Sequence, residues 1–343
     1  MKLDGLLWIG ALVVGAGLAY FYVFKNGGLP VNTRPGTGTG TGTGAGGGPT
    51  PTAPGATYTF ERKFGTKGTG NGQFMDPHDV SFDQAGNVFV PDRVRNDVQV
   101  FTHAGVYVRK FGGPGSGDGQ FNVPYSTAHD SADNFYVSDR GNNRVQKLSK
   151  DGVFISKITT AGGKALKAPE DLAFDFTNGD WYLTDTGNNR VVKFDKTDKF
   201  IKEWGSKGNG NGKFDHPHSI DVGPDRNVYV ACGPIPPIQK FSPEGVFIKQ
   251  WGTEGDGQGQ VRTFLEHMDI DVFGRLHIIN NDVRPIVNVF DLEGKFITAY
   301  GNPKKGGADG QFSEPEHVTV DSQGHPFVVD SGNFRIQVFK VGA

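Results

Sequence analysis

Residues 119–152 read GQFNVPYSTAHDSADNFYVSDRGNNRVQKLSKDG, and this stretch is one copy of a unit that the chain repeats. A proline is followed by a short run in which apolar and polar residues alternate, then by a polar turn and a second run that ends in Asp139. A Gly-Asn-Asn turn leads into a third run that opens with Arg144, and a fourth run follows another turn. Alternating runs between turns rich in Gly, Asn and Asp are typical of short antiparallel strands. Each unit therefore predicts four strands.

The unit occurs six times. Five copies have a proline at the same register, at Pro77, Pro124, Pro169, Pro217 and Pro315. The first four prolines are 47, 45 and 48 residues apart, and in the copy without a proline His267 occupies the position where the proline is expected. A period of about 40–50 residues with four strands per unit is typical of a β-propeller. We therefore predict an all-β fold, a six-bladed β-propeller, over residues 58–343.

The last copy lacks its fourth strand. After residues 335–339 only Lys340–Ala343 remain, which is too few for another strand. Residues 58–65, YTFERKFG, are similar to the fourth run of the first copy, VYVRKFG at 106–112. We predict that residues 58–64 complete the sixth blade, which closes the ring and leaves no open strand edge.

The second and third strands of four copies resemble the NHL repeat family. The segments are GNVFVPDRVRNDVQVF (86–101), NFYVSDRGNNRVQKL (134–148), DWYLTDTGNNRVVKF (180–194) and HPFVVDSGNFRIQVF (325–339). The resemblance implies a propeller of NHL repeats over nearly all of residues 58–343. It does not imply one activity, because the same fold supports many functions.

An apolar segment precedes the repeats. Residues 6–24, LLWIGALVVGAGLAYFYVF, carry no charge and would span about 28 Å as a helix, close to the thickness of a bilayer core. We predict one transmembrane helix within residues 1–25. A cleaved signal peptide is the alternative, but the apolar run continues beyond the small residues Gly17 and Ala19 at which cleavage would occur.

Residues 26–57 predict a disordered, flexible linker, because 11 of the 32 are Gly, 8 are Thr and 5 are Pro. We expect a single-pass membrane protein with the propeller outside the cytoplasm, by analogy with other anchored domains that stand on such stalks.

Charge and cysteine content limit the possible partners. The chain has a net charge of −2, and residues 1–57 contribute +2, so the propeller carries −4. An acidic balance makes nucleic acid an improbable partner, although NHL domains that bind RNA are known. Cys232 is the only cysteine, so an intramolecular disulfide is excluded.

Two recurring patterns predict structural roles. Three copies keep an Asp and an Arg five residues apart around the loop between strands two and three, at Asp139/Arg144, Asp185/Arg190 and Asp330/Arg335. We expect these pairs to brace the loop with charge-assisted hydrogen bonds. The Gly-rich runs that end in Gln-Phe or Lys-Phe precede strands, so we interpret them as turns between blades rather than nucleotide-binding loops, with Phe74, Phe121, Phe214 and Phe312 packed between sheets.

The residues that follow each proline and the loops between strands two and three should meet at one mouth of the central channel, the usual ligand site of such a scaffold. We expect this loop face to bind a partner, above all where the loops depart from the Asp–Arg pattern. The predicted partner-binding residues are Arg93, Arg95, Tyr125, Arg140, Cys232, Asn281 and Glu316.

A metal centre is the alternative use of the channel. The Pro-His steps at His78 and His218 are similar to those that carry zinc ligands in the peptidyl-hydroxyglycine amidating lyase, a related propeller. With Glu170 and His317 they form the candidate metal set, although alternating blades do not supply three histidines as in that lyase. Calcium is the other candidate, as in lactonase-like propellers. Its candidate ligands are Glu170, Asp171, Asp269, Asn281 and Glu316.

The sequence thus predicts a membrane-anchored NHL propeller that acts as a non-catalytic binding or scaffold module for a protein or glycan. The alternative is a metal-dependent lyase or hydrolase with zinc or calcium at the channel mouth. The catalytic residues of such an enzyme stay unassigned.

Overall fold

A computed structural model of the chain describes residues 57–233, 237–255, 257–261, 265–281 and 284–342. Across these residues the chain forms six four-stranded antiparallel sheets, and the innermost strands of neighbouring sheets contact one another. The predicted six-bladed all-β propeller is confirmed.

The blades follow one another in sequence, each with its strands in order from the channel outward. Blade 1 consists of Ser81–Phe82, Val88–Asp92, Asp97–Phe101 and Tyr107–Gly112. Blade 2 consists of Pro124–His129, Phe135–Asp139, Arg144–Leu148 and Phe154–Ile158. Blade 3 consists of Pro169–Phe174, Trp181–Asp185, Arg190–Phe194 and Phe200–Trp204. Blade 4 consists of Asp215–Val222, Val228–Gly233, Ile238–Phe241 and Phe247–Trp251. Blade 5 consists of Met268–Ile270, Arg275–Asn280, Ile286–Asp291 and Phe296–Tyr300. Blade 6 consists of Pro315–Val320, Pro326–Asp330, Arg335–Gly342 and Thr57–Phe64. Two short pairs lie between blades, Thr66–Lys67 with Gln73–Phe74 and Thr160–Ala161 with Lys164–Ala165. Single 3-10 turns follow the second strand in three blades, at Arg140–Asn142, Thr186–Asn188 and Ser331–Asn333.

The ring closes as the sequence predicted. Thr57–Phe64 pairs antiparallel with Arg335–Gly342, from Thr57 opposite Gly342 to Phe64 opposite Ile336. The first strand of the repeat region is therefore the outer strand of the last blade, and the hydrogen bonds of one sheet join the two ends of the propeller.

The hydrophobic core is itself a ring. Its buried side chains form six clusters in the described residues, and each cluster lies between two adjacent blades. Phe89 of blade 1, for example, packs on Phe135 of blade 2 with ring centroids 4.7 Å apart. Because every blade buries both faces against its neighbours, the second strands are buried at every position and most begin as continuous apolar runs, for example Val88–Val90.

The predicted turns between blades are confirmed. Phe74, Phe121, Phe214 and Phe312 are each fully buried. A glycine with positive φ lies against each ring; a Cβ on Gly112 would come within 2.5 Å of Phe121. The glycine is required here because only an absent side chain leaves room for the phenylalanine.

The Asp–Arg pairs brace the loop face as predicted. Arg144 donates its Nε–H to Asp139 at 2.7 Å, and its other nitrogens donate to the carbonyls of Ser116, Gly117 and Gln120 at 2.8–2.9 Å. Blade 1 has Asp97 in place of the arginine, and there Arg95 assumes the same task.

Arg95 pairs with Asp97 through two hydrogen bonds of 2.9 and 3.0 Å and donates to the carbonyls of Gly70 and Gln73. Only 4% of its side chain is exposed. Blade 1 therefore departs from the pattern in sequence but keeps the same bracing, with Arg95 in the role of the missing arginine.

The predicted transmembrane segment of residues 1–25 and the linker up to residue 56 lie outside the described residues. Within the described part of the chain, no helix is long and apolar enough to cross a membrane.

Candidate functional site

The innermost strands place three successive rings of side chains around the channel. The mouth ring comprises the residues one position after the proline register, namely His78, Tyr125, Glu170, His218, Glu266 and Glu316. The middle ring comprises the next residue of each blade, namely Asp79, Ser126, Asp171, Ser219, His267 and His317. The far ring lies two residues further on, at Ser81, Ala128, Ala173, Asp221, Asp269 and Thr319.

Two adjacent residues of one strand normally point to opposite faces. Here the pairing register shifts just after the proline, for example between Pro169 and Leu172 and between Pro315 and His317. Such a bulge bends the strand and re-aims side chains, which brings both neighbours toward the channel.

The predicted position of His267 within the blade 5 repeat is wrong. The sequence placed His267 at the proline register, with Met268 and Asp269 after it. In the structure the Ile279 N–H donates to the carbonyl of His267, and Met268 lies opposite Ile278. This matches His317 opposite Val329 in blade 6, so His267 is a middle-ring residue.

Leu265 holds the proline register of blade 5, and Glu266 joins the mouth ring. The prediction was wrong by two residues because Leu replaces the marker proline. The distance of 48 residues from Pro217 to Leu265, equal to the preceding interval, is the signal that would have found it.

The mouth ring contains a buried ion cluster on one side. The carboxylate of Glu170 is 1% exposed, accepts a hydrogen bond from Nε of Arg140 at 2.9 Å and lies 2.8 Å from Nδ1 of His218. Burial opposes the charged imidazole, yet the hydrogen bond and charge of Glu170 raise the pKa of His218 above its ordinary value. His218, Glu170 and Arg140 therefore form one hydrogen-bonded cluster.

Tyr125, in the neighbouring blade 2, borders this cluster and shares Arg140 with it. Its ring lies 3.7 Å from the imidazole of His78, and the guanidinium groups of Arg93 and Arg140 lie 5.7 and 5.3 Å from its ring centroid. His78 Nδ1 lies 3.0 Å from the carbonyl oxygen of Tyr125. Burial and the nearby Arg93 keep the pKa of His78 well below its ordinary value, so this imidazole is neutral.

The mouth holds more carboxylates than cations. Arg93 forms a bidentate pair with Asp76 at 2.9 and 3.0 Å, and its distance to Glu316 is 3.9 Å. Burial raises the pKa of Glu316 to about 7 and also raises the pKa of Glu266. These two carboxyl groups therefore lie in a site that disfavours their negative charge.

The structure places the predicted partner-binding residues in three locations. Arg93, Tyr125, Arg140 and Glu316 meet at the mouth, and Asn281 is half-buried beyond blade 5. Arg95 and Cys232 are corrections to the predicted face, because both side chains are buried and bonded inside the blades. Cys232 is 2% exposed and accepts a hydrogen bond from Gln239, and burial raises its pKa to about 11.

The candidate metal set is likewise divided between two rings. His78, Glu170 and His218 belong to the mouth ring, where Glu170 pairs with His218 and His78 contacts Tyr125. His317 belongs to the middle ring. The zinc and calcium assignments of these residues stay predictions.

A compact group of metal-capable side chains lies in the middle ring. Asp171, His267 and His317 are buried, and one ligand atom from each lies within 4.8 Å of the others. Nε2 of His267 is 3.3 Å from Oδ2 of Asp171, and Nε2 of His317 is 2.7 Å from Oδ1 of Asp79. Sequence reasoning considered Asp171 only for calcium and did not connect it with the two histidines, because the three come from blades 3, 5 and 6.

A cavity of about 230 Å³ extends from this group along the channel, away from the mouth ring. Asp221 and Asp269 line it together with apolar residues at the ends of the innermost strands. Burial raises the pKa of Asp221 to about 7 and raises that of Asp269 well above its ordinary value. Perturbed carboxyl groups beside a cavity are a common mark of a functional site.

Comparison with known proteins agrees with this geometry. Residues 312–339, in the last blade, match the family model of the NHL repeat. The chain is a six-bladed propeller whose last blade matches an NHL repeat. None of the curated protein sequences matches it.

Solved propellers with the same fold include proteins of different activities. A protein of unknown function from Bacteroides thetaiotaomicron is 17% identical, with a TM-score of 0.63 over 84% of this chain and 76% of that one. A gluconolactonase from Xanthomonas campestris is 16% identical, with a TM-score of 0.61 over 79% and 88% of the two chains. A streptogramin B lyase is 14% identical, with a TM-score of 0.59 over 83% and 98%. At these identities the likeness shows the fold alone.

Proposed function

We propose that this NHL propeller is a membrane-anchored, non-catalytic binding module that takes a basic side chain of a partner protein into the mouth of its channel. The surplus of buried carboxylates in the mouth ring supports the proposal most directly. The anchor and the flexible linker of the sequence would display the loop face away from the bilayer.

The charges at the mouth favour binding of a positively charged side chain. Arg93 and Arg140 are already paired with Asp76 and Glu170. Glu266 and Glu316 have raised pKa values because burial removes solvent from them. A lysine or arginine of a partner would supply the missing opposite charge and form charge-assisted hydrogen bonds.

Tyr125 adds a second feature to the same surface. Its ring is already flanked by two guanidinium groups, which shows that cations are accommodated on this ring. An incoming basic side chain would therefore meet both carboxylates and an aromatic ring. A neutral glycan would add no positive charge beside Glu266 and Glu316, so we prefer a protein partner.

A library of constrained peptides displayed on phage tests the proposal when panned against the purified full chain. We expect enrichment of loops with a central Lys or Arg, and synthetic peptides from the selection should bind about tenfold or more weakly to Glu266→Gln and Glu316→Gln variants. Glu244→Gln is the control, because Glu244 lies in a turn on the opposite face and is 64% exposed. Selection of peptides without basic residues, or unchanged affinity in both mouth variants, would refute the proposal.

A metal-dependent enzyme is the second candidate, and the cavity beside the middle ring favours it. The lactonase and lyase names of the structural neighbours supply the substrate classes to try. Turnover of a panel of lactones and of streptogramin B by the zinc- or calcium-loaded full chain, abolished by Asp171→Asn, would favour the enzyme. Absence of turnover with every member would favour the binding module.

A further inference from the structure

We infer that the middle ring holds one divalent transition-metal ion, best matched by Zn²⁺, bound by Asp171, His267 and His317. This site lies deeper in the channel than the mouth ring. The inference therefore does not depend on the binding of a partner at the mouth.

The spacing of the donors suits a small ion. Zinc binds nitrogen and oxygen ligands at about 2.0–2.2 Å, so two ligands of a tetrahedral ion are roughly 3.4 Å apart. Nε2 of His267 and Oδ2 of Asp171 are 3.3 Å apart. One ligand atom of His317 lies within 4.8 Å of a ligand atom of each of the other two residues, so the three groups are close enough to surround one ion.

The Asp171 carboxylate is held in place before any ion arrives. Its Oδ1 accepts hydrogen bonds of 2.8 Å from the hydroxyl of Ser126 and the N–H of Leu172. Its Oδ2 accepts bonds of 2.9 Å from the hydroxyl of Ser219 and the N–H of Ile220. Hydrogen bonds of this kind orient metal-ligating carboxylates.

His317 is oriented by a second carboxylate. Its Nε2 lies 2.7 Å from Oδ1 of Asp79, which assigns the Nε2 proton to this hydrogen bond. Thr319 is 3.3 Å from Nδ1 of His317 but donates its hydroxyl proton to the carbonyl of Val80 at 2.6 Å. The lone pair of Nδ1 is thus left without a donor, and a carboxylate paired with the opposite ring nitrogen is the usual support of a histidine ligand.

His267 completes the set. Its ring stacks on that of His317 with centroids 3.3 Å apart, and its Nδ1 is buried without a hydrogen-bond partner in the described part of the chain. Two imidazoles this close cannot both carry a charge.

The donor types select the ion. One carboxylate and two neutral imidazoles form a set that suits zinc or ferrous iron, whereas calcium takes six to eight oxygen ligands. Of the two ions predicted from the sequence, the site therefore fits zinc and not calcium. The adjoining cavity of about 230 Å³ gives the ion a path and leaves room for water in its remaining coordination position.

Metal titration of the purified full chain tests the inference. After treatment with a chelator, addition of Zn²⁺ should show one tight site per chain by competition with a zinc-responsive dye, and Co²⁺ should give the visible absorption bands of a four-coordinate site. His267→Gln and His317→Gln should each abolish the stoichiometric site, and Asp79→Asn should weaken it about 10- to 100-fold. His216→Gln is the matched control, because this imidazole is 56% exposed and outside the three rings, and it should leave the site unchanged.

Near-UV circular dichroism shows whether each variant keeps its fold. If a variant does not fold, the inference is tested on the wild-type chain instead. Zn²⁺ should raise the melting temperature of the wild-type chain in a concentration-dependent way. A folded wild-type chain that binds neither Zn²⁺ nor Co²⁺ would overturn the inference. So would full binding in both folded histidine variants.

Discussion

At the scale of single residues, charges buried inside the blades hold the loop face together. Asp139 is fully buried and Arg144 is 5% exposed, so their pairing takes place away from water. Removal of one partner of such a pair leaves an uncompensated buried charge, which costs about 3–5 kcal/mol. Exposed pairs contribute about 1 kcal/mol or less.

The pair in blade 2 therefore predicts a large effect. Arg144→Met should lower the free energy of unfolding by about 3–5 kcal/mol, because Asp139 and three backbone carbonyls lose their partner. Lys157→Met in the same blade removes an exposed ion pair with Asp118 and should cost about 1 kcal/mol or less. Urea denaturation of both variants measures the difference, and equal costs would show that the buried pair does not brace the blade.

Glu316 predicts a dependence of stability on pH. Its pKa is raised by burial to about 7 in the folded chain, whereas an unfolded glutamate titrates near 4.5. The folded state thus binds the proton more tightly, and the carboxyl group destabilises the fold increasingly as pH rises from 4.5 to 7. Glu316→Gln should melt at a higher temperature than the wild type at pH 8 and at a similar temperature at pH 4.5. A difference in melting temperature that does not change across this range would contradict the assignment.

Local patterns in the sequence predicted the blades but not the channel. The proline register and the Asp–Arg pairs depend on neighbours within one unit, so the strands and Arg144 could be placed from spacing alone. The contact of His267 with Asp171 depends on how three blades face one another, and the leucine at position 265 concealed its register. Arg95 and Cys232 were wrongly predicted to bind a partner for a related reason. A residue that departs from the repeat pattern can still be a buried structural residue.

At the scale of elements, the strand Thr57–Phe64 carries the closure of the ring. Its alternate residues pack on the last blade; Phe60, for example, contacts Phe339 with ring centroids 6.2 Å apart. Without it, the outer edge of Arg335–Gly342 is unpaired and apolar residues of blade 6 meet water.

Deletion of residues 58–64 from the full chain should therefore lower the melting temperature and broaden the transition. A deletion of residues 36–44 within the linker is the control, since it shortens the chain without touching a blade. Differential scanning calorimetry of both variants decides the matter. A closure deletion that melts with the wild type would show that the sixth blade is stable with three strands.

The turns between blades allow a test with a matched pair of glycines. Gly112 and Gly113 both have positive φ, of +91° and +141°, so alanine is strained at each. A Cβ on Gly112 would lie 2.5 Å from the ring of Phe121, whereas a Cβ on Gly113 meets nothing within 4 Å. Gly112→Ala should cost roughly 2 kcal/mol more than Gly113→Ala, about the value of burying one large apolar side chain. Equal unfolding free energies would mean that the phenylalanine moves aside without loss.

At the scale of the whole molecule, the fold and the attachment rest on different grounds. The blades are described by the structure, while the anchor and linker are proposals from the composition of residues 1–57. The two considerations that orient the propeller also disagree. Lys25 and Arg34 outnumber Lys2 across the apolar segment and favour a cytoplasmic propeller, whereas an N-terminal anchor followed by a stalk favours display outside.

We predict that the full chain stays in the membrane pellet after alkaline extraction, and that deletion of residues 6–24 releases it with an unchanged melting temperature, because no blade includes this segment. A protease of broad specificity, added to intact cells, should cut the linker at 26–57 and release a resistant propeller, since folded blades protect their backbone and a Gly- and Thr-rich stalk does not. Cleavage only after the cells are opened would place the propeller in the cytoplasm. The basic partner of the mouth ring would then be a cytoplasmic protein. A full chain that is soluble from the outset would remove the anchor, while the metal site of the middle ring, which lies wholly within the blades, would be unaffected.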